Sequence, residues 1–254
     1  LALESEQKIM KFREGGSMKN ATRIVSGLFL TVLTPLLLGA GNFEAEQTQP
    51  LFHHEHSAEL LEDDAIFPKT LDGEEYASYI DRRLRELLPA PYRPTATRIA
   101  STLIGTANRY KMDPLFLMAV IQQESRFNPL ALGGHGEIGL MQLKPTTAQW
   151  IMKKQFGEAP NLAEVAELLK DPASNIMIGA LYLSHLRSKF ENRSKLYISA
   201  YNMGSSRLRS KLREGAEPRV YRTKVLAGYV EFVGELTPAA KSTRKIAASK
   251  TFDL

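Results

Sequence analysis

Helical spacing of apolar residues is the feature that most restricts the fold of this chain. Apolar side chains recur every three or four positions in successive segments, and no alternating run of the kind that forms a strand appears. Proline, glycine, asparagine or aspartate separates these segments, and such residues mark where helices begin and end. The main domain is therefore predicted to be almost entirely α-helical.

One of these helices ends in an acidic residue that does not fit its apolar side. Asp113 and Pro114 predict the helix start, because aspartate caps free N–H groups and proline loses no hydrogen bond at the first helical position. At about 100° per residue, Glu124 falls on the same side as Leu117 and Ile121. The ordinary interpretation is a rim glutamate paired with lysine or arginine, since glutamate is rarely buried unless it is paired. The alternative is a desolvated carboxyl group with a chemical role.

Composition restricts the class of protein. A chain of 254 residues with 43% hydrophobic content is long enough for one full-sized core. The absence of cysteine excludes disulfides, thiol nucleophiles, cysteine-ligated zinc and a lipidated N-terminal cysteine. A net charge of +5 suits acidic polymers or anionic membranes. The basic residues are spread along the chain and not interleaved with aromatics, so no nucleic-acid partner is expected.

Residues 1–41 are interpreted as a leader that carries a signal peptide or a membrane anchor. A short basic segment beginning at Met18 precedes an apolar run over 24–38, and small residues follow. The run is about 15 residues long, whereas a membrane-spanning helix needs about 20. A cleaved export signal is therefore favoured over a retained anchor. Residues 1–17 are polar and unlike a leader, so translation is expected to begin at Met18 or Met10.

The segments around the main domain are predicted from their patterns. Residues 42–71 are acidic and irregular and are interpreted as a linker; the histidine cluster at 53–56 matches no helical metal-ligand spacing, so no metal site is expected. Residues 72–92 form an amphipathic lead-in helix that ends at prolines. The main domain follows over 93–236. Residues 237–254 form a basic tail that is expected to be disordered.

Within the main domain, the periodicity predicts a series of helices joined by short connections. The helix over Thr95–Tyr110 is expected to pack as a hairpin with the helix that ends in Glu124. Four glycines then fall within seven residues, between Gly133 and Gly139, and form a loop whose backbone can approach a ligand closely. Later helices are predicted from Thr146 past Trp150, over Asn161–Leu169, from a cap at Asn175 through Phe190, over Lys195–Ala200, and from Pro218 onward.

A carboxyl group on an apolar helix face has a chemical consequence. Loss of solvation disfavours its ionised form and raises its pKa. Moving the pKa of a glutamate from about 4.3 to about 6 requires roughly 2 kcal/mol of differential solvation, which burial against Val120 and Ile121 can supply. An acid of this kind is suited to protonating a glycosidic oxygen. Glu124 is therefore the candidate catalytic acid.

Four motifs follow one another in this part of the chain. They are Glu124-Ser125-Arg126-Phe127-Asn128-Pro129; Gly139-Leu140-Met141-Gln142-Leu143 with Pro145 and Thr147-Ala148; Asn175 with Gly179 and Tyr182-Leu183; and Ala200-Tyr201-Asn202 with Gly204. Together they resemble the soluble-lytic-transglycosylase-type (SLT) murein lytic transglycosylases. The resemblance extends from about Thr95 to Phe232. It implies a mainly α, goose-lysozyme-like fold for the SLT-type catalytic domain.

The resemblance also implies an activity. Enzymes of this family cleave the β-1,4 bond between N-acetylmuramic acid and N-acetylglucosamine in peptidoglycan and form 1,6-anhydromuramoyl ends. Glu124 matches their single acid/base. The implied partner is the peptidoglycan glycan strand, the implied location is the periplasm, and no cofactor or metal is implied. Membrane association through the N-terminal segment stays open, and the sequence names no protein partner.

Supporting residues are carried over from the matching motifs. Ser125 and Gln142 match positions that line the sugar site, and both side chains can hydrogen-bond an acetamido or hydroxyl group. Gly139 and Met141 belong to the same motif and are assigned to substrate binding with them.

The sequence assigns some of the aromatic residues to the candidate site and others to the hydrophobic core. Tyr201 is expected to hold the catalytic carboxyl group, and Asn202 to bind an N-acetyl group. Tyr182 and Tyr229 could stack on sugars, but both lie on helical apolar stripes, so packing in the core is favoured for them. Trp150 is assigned to the core as well.

Two alternatives to the transglycosylase prediction stay open. Ordinary glycosidases need a second carboxylate at a defined separation. Glu137 is the only acidic residue of the Gly-rich loop; it is interpreted as a solvated charge, but if it reached the anomeric carbon the enzyme would be a hydrolytic muramidase. The other alternative is a non-catalytic glycan-binding module of the cell envelope.

Overall fold

Helices account for all the regular secondary structure in the described part of the chain. The computed structural model describes residues 73–236, so the predictions for 1–41, 42–71 and 237–254 lie outside it. Within 73–236 the only strand-type pairings are isolated bridges of Ile138 with Leu132 and Leu143. The prediction of a mainly α domain is confirmed. No helix in this part of the chain is long and apolar enough to span a membrane.

Nine α-helices and one 3-10 helix make up residues 73–236. The 3-10 helix, Ala90–Thr95, joins α1 to α2. Most predicted boundaries agree within a few residues, whereas the helix α8 was not predicted. The α-helices are α1 Gly73–Leu87, α2 Ala96–Tyr110, α3 Pro114–Ser125, α4 Pro145–Phe156, α5 Leu162–Leu168, α6 Pro172–Lys189, α7 Ser194–Met203, α8 Ser205–Arg213 and α9 Val220–Leu236.

Helix α3 is the central helix. Its start is as predicted, because the Asp113 side chain accepts a hydrogen bond from the Leu115 N–H at 2.8 Å. Every residue from Pro114 to Ile121 is buried, so α3 is surrounded by protein on all sides and is not an amphipathic surface helix. It ends at Arg126, whose left-handed backbone (φ 51°) stops the helix immediately after the acidic residue.

The packing of α3 differs from the predicted hairpin. Helices α2 and α3 do touch, but α3 packs most extensively against the last helix, α9. Helix α2 lies against α6 and α1, and α6 lies against α7. One continuous hydrophobic core contains buried side chains from all nine helices. Helices that are far apart in sequence therefore meet around α3.

The lead-in helix α1 belongs to the same core. Its Tyr79, Ile80 and Leu84 are buried. The Tyr79 hydroxyl donates to the Phe232 carbonyl oxygen of α9 at 3.1 Å, and the Tyr76 hydroxyl donates to the Asp113 carboxylate. The described part of the lead-in segment, residues 73–92, is thus packed into the domain and is not an appendage to it.

The cap of helix α6 was assigned to the wrong residue. Asp171 caps it, accepting a hydrogen bond from the Ser174 N–H at 2.9 Å, and Pro172 occupies the first helical position. Asn175 lies inside the helix and is fully buried. Asparagine and aspartate are both good caps, and the proline after Asp171 is the signal that distinguishes them.

We expect Asp113→Ala to lower the free energy of unfolding by about 3 kcal/mol, because a helix cap and the acceptor for two tyrosine hydroxyls are lost together. Tyr229 supplies the second of these hydroxyls, at 2.9 Å. Urea denaturation followed by circular dichroism measures the change. Tyr76→Phe removes one of these hydrogen bonds and serves as the matched control, with a loss of about 1 kcal/mol. Equal losses in the two variants would contradict this account of Asp113.

Candidate active site

The Glu124 carboxyl group lies in the last turn of α3 and is held by a phenol from α9. The Tyr221 hydroxyl donates to Oε1 of Glu124 at 2.5 Å. These residues are 97 positions apart and meet because α3 packs on α9. Within residues 73–236, Glu124 forms no ion pair with a lysine, arginine or histidine. The ordinary interpretation of Glu124 as a paired rim charge is therefore wrong for this part of the chain.

Burial determines the protonation of Glu124. Desolvation raises its pKa from 4.5 to about 7, the hydrogen bond from Tyr221 acts in the opposite direction, and the negative charge of Glu137 adds to the increase. The predicted upward shift is confirmed. Near neutral pH, both the protonated and the ionised form are well populated, as proton donation followed by proton uptake requires.

The second tyrosine of the site, Tyr201, has a different partner from the predicted one. Its buried hydroxyl donates to the Met141 carbonyl oxygen at 2.9 Å, and the phenol on Glu124 is Tyr221. Burial and the Glu124 charge hold the pKa of both phenols well above the ordinary value, so both stay protonated as donors. The sequence interpretation did not single out Tyr221, which belongs to the helix predicted from Pro218 onward. No local signal identified it, since its partner lies on another helix.

A single buried amide ties the Gly-rich loop to α6. Asn175 Oδ1 accepts from the Met141 N–H at 2.7 Å, while Nδ2 donates to the carbonyl oxygens of Ile138 at 2.8 Å and Leu169 at 2.9 Å. The Met141 N–H and the Leu169 carbonyl oxygen would otherwise be without partners, whereas the Ile138 carbonyl oxygen also accepts from the Leu143 N–H at 3.2 Å. The sequence interpretation named Asn175 as a helix cap and as a motif residue but missed this structural role.

Gly139 is confined by the same contacts. Its φ is +80°, a conformation that favours glycine. A Cβ at this position would lie 2.3 Å from Asn175 Nδ2 and 2.7 Å from the Leu169 carbonyl oxygen. Only glycine therefore allows the loop to pass this close to α6. This close approach is between parts of the protein, and substrate binding by Gly139 stays a prediction.

Three predicted substrate-binding side chains make contacts within the protein. Gln142 donates from Nε2 to the carbonyl oxygens of Ala131 and Gly139, both at 3.0 Å, and so braces the loop. The Met141 side chain is fully buried. Ser125 donates to the Ile121 carbonyl oxygen at 3.2 Å, within its own helix. Their roles towards a ligand stay predictions.

Asn202 has a different environment, because its side chain is exposed. It lies at the edge of a cavity of about 370 Å³, next to Tyr201 in the same helix. The other lining residues are Met203, Arg207, Lys211, Ala216, Glu217 and Pro218.

Glu137 is a second carboxylate in the region, and the loop holds it firmly. Its Oε2 accepts from the His135 N–H at 2.9 Å, and its Oε1 lies 3.4 Å from Lys144 Nζ. Partial burial acts to raise the pKa of Glu137, but the backbone hydrogen bonds and Lys144 outweigh it, and the pKa falls below the ordinary value. Glu137 is therefore ionised, and its charge acts on Glu124. It is not a freely solvated charge.

The aromatic residues divide between core and surface in an unexpected way. Tyr229 is buried, as predicted. Trp150 is 47% exposed, so its assignment to the core is wrong. Helix α4 buries Ala148, Ile151 and Met152 and leaves the indole on its outer side. There the Trp150 ring meets those of Tyr182 and His185 edge to face, with centroids 6.4 Å and 5.1 Å away.

Metal ligation finds no support in the described residues. Over 73–236, no three histidine, aspartate or glutamate side chains lie close enough together to hold a metal ion. The histidine cluster at 53–56, for which no metal site was predicted, lies outside this range.

Comparison with known proteins places the site in a family. Residues 101–221 match the family model described as the Transglycosylase SLT domain. This segment is an SLT domain. It contains Glu124, Tyr221, the Gly-rich loop and Tyr201. The family predicted from the motifs is confirmed.

Similar proteins share this domain over part of their length. The membrane-bound lytic murein transglycosylase C of Glaesserella parasuis is 34% identical over 143 residues, which are 53% of this chain and 35% of that protein. The soluble lytic murein transglycosylase of Escherichia coli K12 is 37% identical over 101 residues, 40% of this chain and 15% of that protein. The chain thus spans about a third or less of these relatives.

A solved structure aligns with the chain as well. It is that of an inactive mutant of the lytic transglycosylase Slt from Pseudomonas aeruginosa, with 31% sequence identity and a TM-score of 0.48. The alignment covers 57% of this chain and 25% of that one.

We expect Asn175→Ala to lower the free energy of unfolding of the SLT domain by about 3 kcal/mol, because the Met141 N–H and the Leu169 carbonyl oxygen lose their partner and the Ile138 carbonyl oxygen loses one of two donors. Hydrogen exchange at the Met141 N–H should accelerate beyond the global change, since that amide loses its acceptor. Asn202→Ala, at an exposed asparagine, is the control and should change stability by less than about 0.5 kcal/mol. A slow Met141 exchange rate in Asn175→Ala would refute the anchoring role.

Proposed function

We propose that this chain is a peptidoglycan lytic transglycosylase. It cleaves the β-1,4 bond between N-acetylmuramic acid and N-acetylglucosamine and leaves a 1,6-anhydromuramoyl end. The observation that carries the proposal is Glu124, a carboxyl group with a pKa of about 7 that bonds to Tyr221 at the end of a buried helix. The SLT domain around it and the names of the relatives support the same activity.

In the first step, protonated Glu124 donates its proton to the glycosidic oxygen that leaves C1 of the muramoyl residue. The C1–O bond breaks, and the 2-acetamido group of the same sugar supports the positive charge at C1. Burial favours this step, because a carboxyl group with a raised pKa holds its proton near neutrality and releases it to a leaving group of higher basicity.

In the second step, the Glu124 carboxylate takes the proton from the C6 hydroxyl of the same sugar. The C6 oxygen then bonds to C1, which closes the 1,6-anhydro ring and restores protonated Glu124. No water is consumed. One carboxyl group thus serves as acid and then as base, which fits a site whose other carboxylate, Glu137, is occupied by His135 and Lys144.

Tyr221 assists the carboxylate between the two steps. Its hydroxyl keeps one carboxyl oxygen in place, so the other oxygen faces the substrate. A hydrogen bond to an ionised group is stronger than one to a neutral group, so Tyr221 stabilises the ionised intermediate state of Glu124. It is a positioning residue in this proposal.

The remaining site residues act around this centre. Gly139, Met141 and Gln142 shape the loop that forms one wall. Asn202, with its exposed amide, is suited to an N-acetyl group. Ser125 lies next to Glu124 and is assigned to the sugar as well. Tyr201 fixes the loop through its bond to the Met141 carbonyl oxygen.

We place the enzyme in the periplasm, where its substrate lies. The basic segment from Met18 to Arg23 and the apolar run over 24–38 support export, with a cleaved signal favoured over an inner-membrane anchor. Relatives named membrane-bound and relatives named soluble both occur. The names of the relatives therefore do not decide between the two, and any membrane association of this chain would involve its N-terminal segment.

We expect Glu124→Gln to abolish release of soluble fragments from purified sacculi while circular dichroism stays unchanged, because the amide has no transferable proton. Mass spectrometry of wild-type products should show anhydro ends, lighter by one water than hydrolysed ends. Glu137→Gln should keep activity and the same products. Hydrolysed ends from the wild type, together with loss of activity in Glu137→Gln, would make the enzyme a muramidase. Binding to sacculi with no product would favour a non-catalytic module.

We expect kcat/KM to fall as the pH rises through about 7, because the protonated form of Glu124 is the active acid. Tyr221→Phe removes a bond that lowers this pKa, so the alkaline limb should move to higher pH and the maximum rate should fall. Glu137→Gln removes a charge that raises it, so the limb should move to lower pH. Tyr229→Phe, also in α9, is the control with no shift. Shifts in the same direction in both variants would refute the assignment to Glu124.

A further inference from the structure

The turn that follows Glu124 has a strained backbone. Helix α3 ends at Ser125, and the Asn128 N–H donates to the Ser125 carbonyl oxygen at 3.1 Å, which closes a four-residue turn. Both central residues of this turn have positive φ, 51° at Arg126 and 59° at Phe127. Two successive positive φ values are the pattern of a type I′ turn, which favours glycine, asparagine and aspartate. Arginine and phenylalanine are strained there, because the Cβ atom crowds the backbone.

The neighbouring sequence does not require this turn. Pro129 disfavours a helical conformation of Asn128, so α3 has to end before that residue. This restriction still allows Arg126 and Phe127 to continue α3 with right-handed φ. Strained backbone of this kind persists only where the surrounding structure imposes it. The cause of the turn therefore lies in a tertiary contact.

The Phe127 side chain makes that contact. Its ring is 1% exposed and lies edge to face on the Phe232 ring of α9, with centroids 6.4 Å apart. Arg126, in contrast, is exposed. Right-handed φ at Arg126 and Phe127 would turn the ring away from Phe232. Burial of the ring and its aromatic contact thus offset the cost of the left-handed backbone.

Helix α1 holds Phe232 in place. The Tyr79 hydroxyl, which donates to the Phe232 carbonyl oxygen, also lies 2.9 Å from Glu235 Oε2. The Arg83 guanidinium lies 6.0 Å from the centre of the Phe232 ring, and its Nε lies 3.1 Å from the same Glu235 oxygen. The Phe127 ring therefore packs against a residue that is fixed from two helices.

We propose that Phe127 is a positioning residue for Glu124: its ring, packed on Phe232, imposes the turn that ends α3 and so keeps the acid in the last helical turn beside Tyr221. This inference rests on the proposed function, in which the Glu124 carboxyl group transfers the proton. Phe127 does not touch the reacting atoms, because its side chain is part of the hydrophobic core. It acts through the short stretch of backbone that joins it to Glu124.

The turn affects both properties that the acid needs, its position and its burial. A displacement of about 1 Å can lower a rate about a hundredfold. Burial is the largest influence on the pKa of Glu124 and raises it to about 7. If the turn relaxes, water reaches the carboxyl group and this pKa falls. The alkaline limb of kcat/KM then moves to lower pH, opposite to the shift expected for Tyr221→Phe.

The experiment compares two buried phenylalanines near opposite ends of α3. The test variant is Phe127→Leu, and the control is Phe116→Leu in the first turn of the helix. Phe116 is 5% exposed and lies edge to face on Tyr197 at 6.3 Å and Tyr229 at 6.4 Å. Leucine keeps an apolar side chain in both places and removes the ring contacts. Phe232→Leu removes the contact with Phe127 from the α9 side and is the second test variant.

Three quantities are measured on the full chain. Urea denaturation gives the stability of each variant. A ¹³C NMR titration without substrate gives the pKa of the Glu124 carboxyl group, whose signal is identified by its absence in Glu124→Gln. Release of soluble fragments from sacculi gives kcat and KM.

We expect the urea midpoint to fall in all three leucine variants, because each loses buried aromatic contacts. Phe127→Leu and Phe232→Leu should lower kcat about tenfold and change KM less than about twofold, because the acid is misplaced while the binding surface is retained. Both should lower the pKa of Glu124 below the wild-type value. The double variant should lose no more kcat than either single variant, since the two rings form one contact. Phe116→Leu should keep the wild-type kcat and pKa.

Arg126→Gly tests the backbone strain by itself. Arg126 is exposed, and glycine adopts positive φ without strain. This variant should raise the urea midpoint and leave kcat and the pKa of Glu124 unchanged, because Phe127 still imposes the turn. A lower midpoint would show that the left-handed backbone is not strained and would overturn that step of the inference.

The outcomes separate this inference from the proposed function. A wild-type kcat and Glu124 pKa in Phe127→Leu would overturn the positioning role, and so would changes of equal size in Phe116→Leu, which would show an effect of stability alone. The proposed function fails separately, if the wild-type protein releases no anhydro products from sacculi. The titration needs no turnover, so it tests the position of Glu124 in either case.

Discussion

The packing of α3 against α9 is the constraint on which the candidate site depends. It removes water from one side of Glu124 and places the Tyr221 hydroxyl on its carboxyl group. The two effects on the pKa oppose each other, and burial is the larger. A solvent-exposed glutamate would be almost fully ionised at pH 7, and one buried without a donor would resist ionisation. The combination keeps both protonation states accessible.

The opposite wall of the site depends on a different kind of interaction. Asn175 reaches from α6 to three backbone groups, and Tyr201 reaches from α7 to the Met141 carbonyl oxygen. Both side chains form hydrogen bonds with the backbone of the same short segment, Ile138 to Met141. A glycine-rich segment has high conformational entropy, and these buried bonds fix its end without adding bulk. Polar contacts thus fix the position of the segment around Met141, whereas apolar packing of helices fixes the position of Glu124.

Sequence reasoning succeeded where the determinant was local. The cap at Asp113 depends on residues within one helix and agrees with the structure, as does the predicted rise in the pKa of Glu124. The role of Tyr221 depends on a partner in another helix, and that of Asn175 depends on Ile138 and Met141, more than 30 positions away, so no short pattern revealed them. Trp150 was misassigned because a periodic apolar position does not tell whether a neighbouring helix covers it. Contacts between helices depend on the whole fold, so they cannot be predicted from local patterns in one sequence.

Helix α1 bears on where this folding unit ends. It lies before residues 101–221, yet it buries Tyr79, Ile80 and Leu84 in the shared core and supplies Tyr76 to Asp113. Much of α9 lies after that segment and carries Phe232 in the same core. A fragment trimmed to residues 101–221 would expose apolar surface of α2 that α1 covers and apolar surface of α3 that α9 covers. The segment that matches the family model is therefore shorter than the folded domain.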